Sequence, residues 1–139
     1  MDPLIETNSV EIDGYNIVYD HRRGDGPTIV LIHGITTYRF IWQNLLPLFA
    51  ENCNVLALDL LGCGDSDKPL TVSYSLKAHA SRLKKFVDIL TIKKFHLVGH
   101  DVGGGISQIF AVNHGKLLES LTLLNSVAYD FWPVQPIIA

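Results

Sequence analysis

The sequence has little of what marks secreted, metal-binding or membrane proteins. Only two of its 139 residues are cysteine, and the spacing of Cys53 and Cys63 suits neither a disulfide nor a zinc site, so we expect two free thiols and no metal. No apolar run approaches the roughly 20 residues that cross a bilayer, and the acidic start Met1-Asp2-Pro3 does not resemble a signal peptide. These absences predict a cytoplasmic protein with no membrane partner.

Clusters of positive charge are also scarce. The net charge is −3, and the lysines and arginines form no run longer than an adjacent pair, such as 84–85 and 93–94, which argues against a nucleic-acid partner. The glycine-rich segment Gly62 to Asp67 lacks the third glycine of a dinucleotide-binding loop and continues to Pro69, so no cofactor is expected. With 47% hydrophobic residues and no repeats, the chain should form a single domain over residues 1–139.

Several short apolar runs have the composition of strands buried in a parallel sheet, because they are continuous and rich in β-branched residues. Asp13-Gly14 between two alternating segments is a two-residue hairpin signal. Residues 76–90 and 102–113 show apolar positions at helical spacing, and 40–50 shows a weaker helical pattern interrupted by Pro47. The order predicts an α/β fold with an initial hairpin and strands at 10–12, 15–19, 28–32, 55–58, 94–98 and 121–124.

The run Val98-Gly99-His100-Asp101-Val102-Gly103-Gly104 has the form of a nucleophile elbow that carries aspartate instead of serine. In such an elbow, glycines two before and two after the nucleophile allow a strand to turn sharply into a helix. A simpler interpretation is that Asp101 caps the following helix, where a carboxylate satisfies free amide groups. Both interpretations place Asp101 at a strand-to-helix junction.

Three motifs in this order resemble the α/β-hydrolase superfamily, within it the branch with an aspartate nucleophile that includes epoxide hydrolases, haloalkane dehalogenases and fluoroacetate dehalogenases. They are His33-Gly34, the segment Asp59 to Pro69, and the elbow Gly99 to Gly104. The resemblance implies a mostly parallel sheet with flanking helices, the N-terminal half of that fold. It also implies Asp101 as nucleophile, with the backbone N–H groups of Ile35 and Val102 forming the oxyanion hole.

A carboxylate nucleophile suits a small-molecule substrate with an electrophilic sp3 carbon, because attack gives an alkyl ester, whereas attack on a carboxylic ester would give a reactive anhydride. The resemblance places tryptophan after the nucleophile in dehalogenases and often asparagine after His-Gly, where this chain has Val102 and Ile35. Epoxide hydrolysis is therefore favoured over dehalogenation.

The hydrolytic step needs a base, and none of the six histidines occupies a position expected for one. In the family, a cap, a catalytic acid and a late histidine follow the point where this chain stops. We therefore expect weak turnover or none, and a non-catalytic ligand-binding or self-assembling half-fold remains the alternative. Pocket aromatics could be Tyr38, Trp42, Phe131 and Trp132, and Asp59 or Asp65 could be acid partners, although packing and turn formation are the commoner roles.

The strand ending near Asn125 should have an unpaired edge, since the family continues the sheet beyond it. An open apolar edge favours pairing with another chain. The tail from Val127 to Ala139 adds further apolar side chains. We therefore expect a homodimer through this edge, or association with a missing C-terminal half.

Overall fold

The computed structural model describes residues 4–49 and 51–129, and its centre is a six-stranded sheet in the order β1-β2-β4-β3-β5-β6. The first two strands are antiparallel to their neighbours, and β4, β3, β5 and β6 run parallel. This arrangement confirms the predicted α/β class with a mostly parallel sheet. The strands are β1 Ile5–Ile12, β2 Tyr15–Arg22, β3 Thr28–Ile32, β4 Asn54–Leu58, β5 Phe95–His100 and β6 Leu118–Leu124.

The initial hairpin forms where the sequence predicts it. Ile12 pairs with Tyr15 across the turn, and Asp13 and Gly14 have φ values of 55° and 84°. Two consecutive residues with positive φ define the tight turn whose twist matches the flanking strands. The hairpin then aligns β2 against β4 and so extends the parallel sheet by an antiparallel edge.

Two helices, α1 Leu76–Ile89 and α2 Val102–His114, pack on one face of the sheet. The helical periodicity in the sequence predicts both within one residue of their ends. The side chain of Ser75 caps α1 by accepting a hydrogen bond from the Ala78 N–H at 3.1 Å. Fully buried aromatic and aliphatic residues fill the layer between helices and sheet, among them Leu83, Phe86, Phe95, Leu97, Ile106 and Phe110.

The predicted helix over residues 40–50 is wrong. The structure has two 3-10 turns there, Arg39–Trp42 and Leu46–Leu48, and residue 50 lies outside the described residues. Pro47 has no N–H and its ring crowds the carbonyl four residues earlier, so an α-helix cannot continue through it. These turns cover the second face of the sheet, where Trp42 and Leu46 pack on Leu31, Val55 and Ala57.

The far edge of the sheet is β6, which begins three residues earlier than the sequence predicts. Among the described residues only β5 pairs with it, and all its residues after Leu118 are exposed. Tyr129 is 94% exposed, whereas the other tail aromatics lie outside the described residues. None of the helices in the described ranges has the length and apolarity needed to span a bilayer.

Candidate active site

Asp101 is the single residue between the end of β5 and the start of α2, and its backbone is unusual. Its φ of 53° and ψ of −119° lie in a region that residues other than glycine rarely adopt, and such strain is typical of functional sites. Close backbone contacts require glycine at both elbow positions. A Cβ on Gly99 would lie 2.4 Å from the Gly103 carbonyl oxygen, and one on Gly103 would lie 2.4 Å from the carbonyls of Ile32 and His33.

The Asp101 carboxylate faces the loop after β3 instead of capping its own helix. Its Oδ2 accepts a hydrogen bond from the Ile35 N–H at 2.9 Å, across 66 residues of sequence. No side-chain capping hydrogen bond forms at this helix start. The simple capping interpretation therefore fails, because the first turn of α2 uses the backbone carbonyl of Asp101, which accepts from Gly104 at 3.0 Å and from Val127 at 3.2 Å.

The structure brings the three predicted site residues together. Gly34 lies so close to the carboxylate that a Cβ there would meet Asp101 Cβ at 2.5 Å. Ile35 donates to Oδ2, and Val102 is the first residue of α2, where a backbone N–H has no intrahelical acceptor. The Ile35 N–H therefore contacts the carboxylate directly, and the Val102 N–H at the adjacent helix start is the candidate second donor that stabilisation of negative charge on that oxygen requires.

A cavity of about 470 Å³ opens beside these residues, at the carboxyl edge of the parallel strands. Ile35 and Val102 form part of its wall, and most of the rest is apolar. The Lys68 ammonium is engaged by the carbonyls of Gly64 and Ser66. Burial, reinforced by the nearby Asp59, raises the pKa of the Cys63 thiol. The other lining residues are Gly34, Leu60, Leu61, Gly62, Pro69, Leu70, Tyr74 and His79.

Within residues 4–49 and 51–129, no histidine is hydrogen-bonded to Asp101. His33 is fully buried with both ring nitrogens engaged, Nδ1 with the Gly34 carbonyl at 2.8 Å and Nε2 with the Leu60 N–H at 3.0 Å. Because a backbone N–H must donate, Nε2 accepts and the proton lies on Nδ1. Burial lowers the pKa of His33 and lowers that of His79 to about 4, the latter with help from Arg82 and His33.

Sequence reasoning missed Arg39, which joins three carboxylates beneath the site. Its side chain is 11% exposed and makes ion pairs with Asp20 at 3.0 Å, with Asp65 at 3.0 Å, and with the fully buried Asp59. Burial alone would lower the pKa of Arg39, but the surrounding carboxylates raise it. The one available signal was a single cation between the aromatic residues Tyr38 and Phe40.

The other residues that the sequence suggested for the site lie in the core, in a turn or away from the cavity wall. Asp59 accepts hydrogen bonds from the Arg39 N–H at 2.7 Å and the Asp65 N–H at 2.8 Å, so it stabilises a turn. Trp42 is 5% exposed in the core. Tyr38 stacks on Phe40 with ring centroids 5.5 Å apart. Neither aromatic residue lines the cavity, and Phe131 and Trp132 lie outside the described residues.

Comparisons with known proteins identify relatives across nearly the whole chain. Residues 27–137 match a family described as alpha/beta hydrolase fold. A soluble epoxide hydrolase from Corynebacterium sp. (strain C12) is 34% identical, covering 96% of this chain and 48% of that protein. A fluoroacetate dehalogenase from Burkholderia sp. is 35% identical, covering 75% of this chain and 36% of that protein.

A solved structure extends the comparison to three dimensions. It is that of a membrane phospholipase A described as a bacterial virulence factor, with a TM-score of 0.86 and 32% identity over 90% of this chain and 41% of that chain. Across the curated relatives cited, the chain spans between about a third and a half of their length.

Proposed function

This chain belongs to the α/β-hydrolase fold family, and from that membership we propose that it carries the nucleophile of a hydrolase that acts on an electrophilic sp3 carbon, an epoxide first and a haloalkane second. Asp101 is the proposed nucleophile, and the N–H groups of Ile35 and Val102 are the proposed oxyanion donors. The observation that carries the proposal is the hydrogen bond from Ile35 to Asp101 Oδ2 at the strained elbow.

The hydrogen bond supports different proposed roles for the two carboxylate oxygens. Oδ2 is held by Ile35, so Oδ1 is the oxygen that attacks the substrate carbon. A bond forms between Oδ1 and that carbon while the ring C–O bond breaks, and the released alkoxide takes a proton from water. The product is an alkyl ester whose carbonyl oxygen is Oδ2, already hydrogen-bonded to the Ile35 N–H.

Hydrolysis of this ester would proceed at the same oxygen. Water attacks the ester carbonyl, negative charge develops on Oδ2, and the amides of Ile35 and Val102 stabilise it before the diol leaves. The water needs a base. His33 is unsuitable because both its nitrogens are engaged, and a neutral His79 with a pKa of about 4 is a weak base. We therefore propose that this chain does not itself supply the base.

The nucleophile and its neighbours support epoxides over the other substrate classes of the relatives. Attack of a carboxylate on a phospholipid or other ester would give a reactive anhydride, which offers little advantage as an intermediate. Val102 and Ile35 carry aliphatic side chains at the cavity wall, so neither can donate a side-chain hydrogen bond to a departing halide. Epoxide opening releases no halide, because the leaving oxygen remains attached to the product as an alkoxide that takes up a proton.

A labelling experiment tests the proposal. The purified chain is incubated with styrene oxide, digested, and mapped by mass spectrometry. The expected result is one ester adduct on Asp101. The matched control is Asp101→Asn, which keeps an oxygen to accept the Ile35 N–H but removes the nucleophilic charge.

Asp88, whose side chain is 54% exposed and paired with Lys84, reports the background reactivity of an ion-paired surface carboxylate. Labelling of Asp101 no faster than of Asp88, or equal total labelling of Asp101→Asn, would contradict the proposal.

A further inference from the structure

Arg39 lies at the end of the loop that carries the Ile35 N–H, and its side chain forms ion pairs with three separate segments. They reach Asp20 on β2, Asp59 at the end of β4, and Asp65 in the loop that follows. Its backbone N–H also donates to Asp59 Oδ1 at 2.7 Å. A guanidinium presents several donors in a fixed plane, so it can hold several carboxylates in one geometry, which a lysine ammonium cannot.

The segment that receives these contacts is itself held firmly. The Ser66 hydroxyl donates to the Asp59 carbonyl at 2.8 Å and accepts from the Val18 N–H at 2.9 Å. Asp67 Oδ2 accepts from the Asn16 N–H at 2.7 Å. Residues 59–67 therefore form a segment fixed to β2, the platform.

The loop from the end of β3 to Arg39 is anchored to the platform at both ends. At its start, His33 Nε2 accepts the Leu60 N–H at 3.0 Å, and at its end Arg39 binds Asp59. Between these anchors Thr36 has a φ of 59°, a left-handed conformation that is strained for a β-branched residue. A loop that holds such a residue next to Ile35 needs restraint from outside.

We propose that Arg39 is a positioning residue that ties the loop to the platform and thereby holds the Ile35 N–H against Asp101 Oδ2. This inference rests on the proposed function of Asp101 only for its effect on reactivity. Its effect on the Ile35 hydrogen bond is independent of that function. The cluster of carboxylates around Arg39 thus acts on the site through the position of one backbone amide.

The test compares Arg39→Lys with the wild-type chain, and Arg23→Lys serves as the matched control. Lysine keeps the positive charge but contacts fewer carboxylates, whereas Arg23 is 65% exposed and pairs with the exposed Glu6. The first measurement is amide hydrogen exchange at Ile35 by NMR, with the buried Leu97 amide as internal reference. The second is the rate of styrene oxide labelling at Asp101 relative to Asp88.

In Arg39→Lys we expect Ile35 exchange to accelerate and Asp101 labelling to slow, each by about tenfold, since small displacements of positioned groups have effects of this size. Leu97 exchange and the Arg23→Lys variant should match the wild type. Unchanged Ile35 exchange in folded Arg39→Lys overturns the proposal whatever the labelling rate. Equal acceleration at Leu97 also overturns it, because the role would then be general stability.

If Arg39→Lys does not fold, Asp65→Asn removes one contact from a side chain that is 68% exposed, and the same measurements apply to it. Faster Ile35 exchange with unchanged Leu97 exchange supports the proposal, and no change overturns it. Failure of the wild-type chain to be labelled at Asp101 refutes the proposed function alone, because the exchange measurement still decides the role of Arg39.

Discussion

Substitution of Gly103 by alanine should destabilise the protein, although alanine is the better helix former. A Cβ at this position would lie 2.4 Å from the carbonyl oxygens of both Ile32 and His33. Ordinary contact begins at 3.4 Å, so α2 would have to withdraw from β3 by about 1 Å. Both opposing atoms are backbone atoms of a central strand and its exit, which cannot move aside as a side chain could.

The magnitude follows from two opposing effects. Overpacking a rigid site lowers the free energy of unfolding by about 1–3 kcal/mol, and by more when backbone must move. Replacing glycine by alanine in a helix raises it by about 1 kcal/mol. We expect a net loss of about 2 kcal/mol in the free energy of unfolding. For a chain of this size that corresponds to a melting temperature lower by about 6–8 °C.

Urea and thermal denaturation followed by circular dichroism measure the effect, and Gly115→Ala provides the control. A Cβ on Gly115 meets nothing within 4 Å, and its φ of −54° suits alanine. That variant should be unchanged or stabilised by about 0.5 kcal/mol, through the entropy of the unfolded chain. Equal stabilities for Gly103→Ala and Gly115→Ala would refute the inference that close helix-to-strand contact requires glycine at 103.

Three further predictions concern pH, reaction and assembly. The pKa of buried His79 is lowered to about 4 in the folded state. The stability that depends on the neutral imidazole is therefore complete above the unfolded pKa of about 6.5 and is lost as the pH falls toward 4. Acidification from pH 7.5 to 5.0 should lower the free energy of unfolding by about 2 kcal/mol through this residue. His79→Leu should therefore lose less stability than the wild type in urea titrations at the two pH values, and an equal loss would contradict this. The purified chain should consume about one equivalent of styrene oxide and stop, whereas many turnovers abolished by Asp101→Asn would reveal a base within the chain. Light scattering at micromolar concentration should give the mass of two chains joined through the exposed β6 edge, and a monomer would refute that expectation.

The candidate site was only partly predictable. The elbow at Asp101 was predictable because its glycines lie two residues before and two residues after it in the sequence, although the contact that requires Gly103 is with the end of β3. The Arg39 cluster depends on Asp20, Asp59 and Asp65, which come from different segments. No periodicity or motif relates these residues. The 3-10 turns at 39–42 and 46–48 were missed because Trp42 and Leu46, which are buried, are spaced as on one face of an α-helix. Pro47 prevents that helix from forming.

The sequence by itself determined the kinds of element and their order: a hairpin closed by Asp13-Gly14, buried parallel strands, amphipathic α1, and a strand-to-helix junction at Asp101. These follow from side-chain burial and backbone preference over a few adjacent residues. The tertiary structure alone decided which strands are neighbours. Because β3 lies between β4 and β5, the loop after β3 meets Asp101 on one side and Asp59 on the other. Contacts between residues this far apart in sequence depend on strand order, which local patterns do not specify.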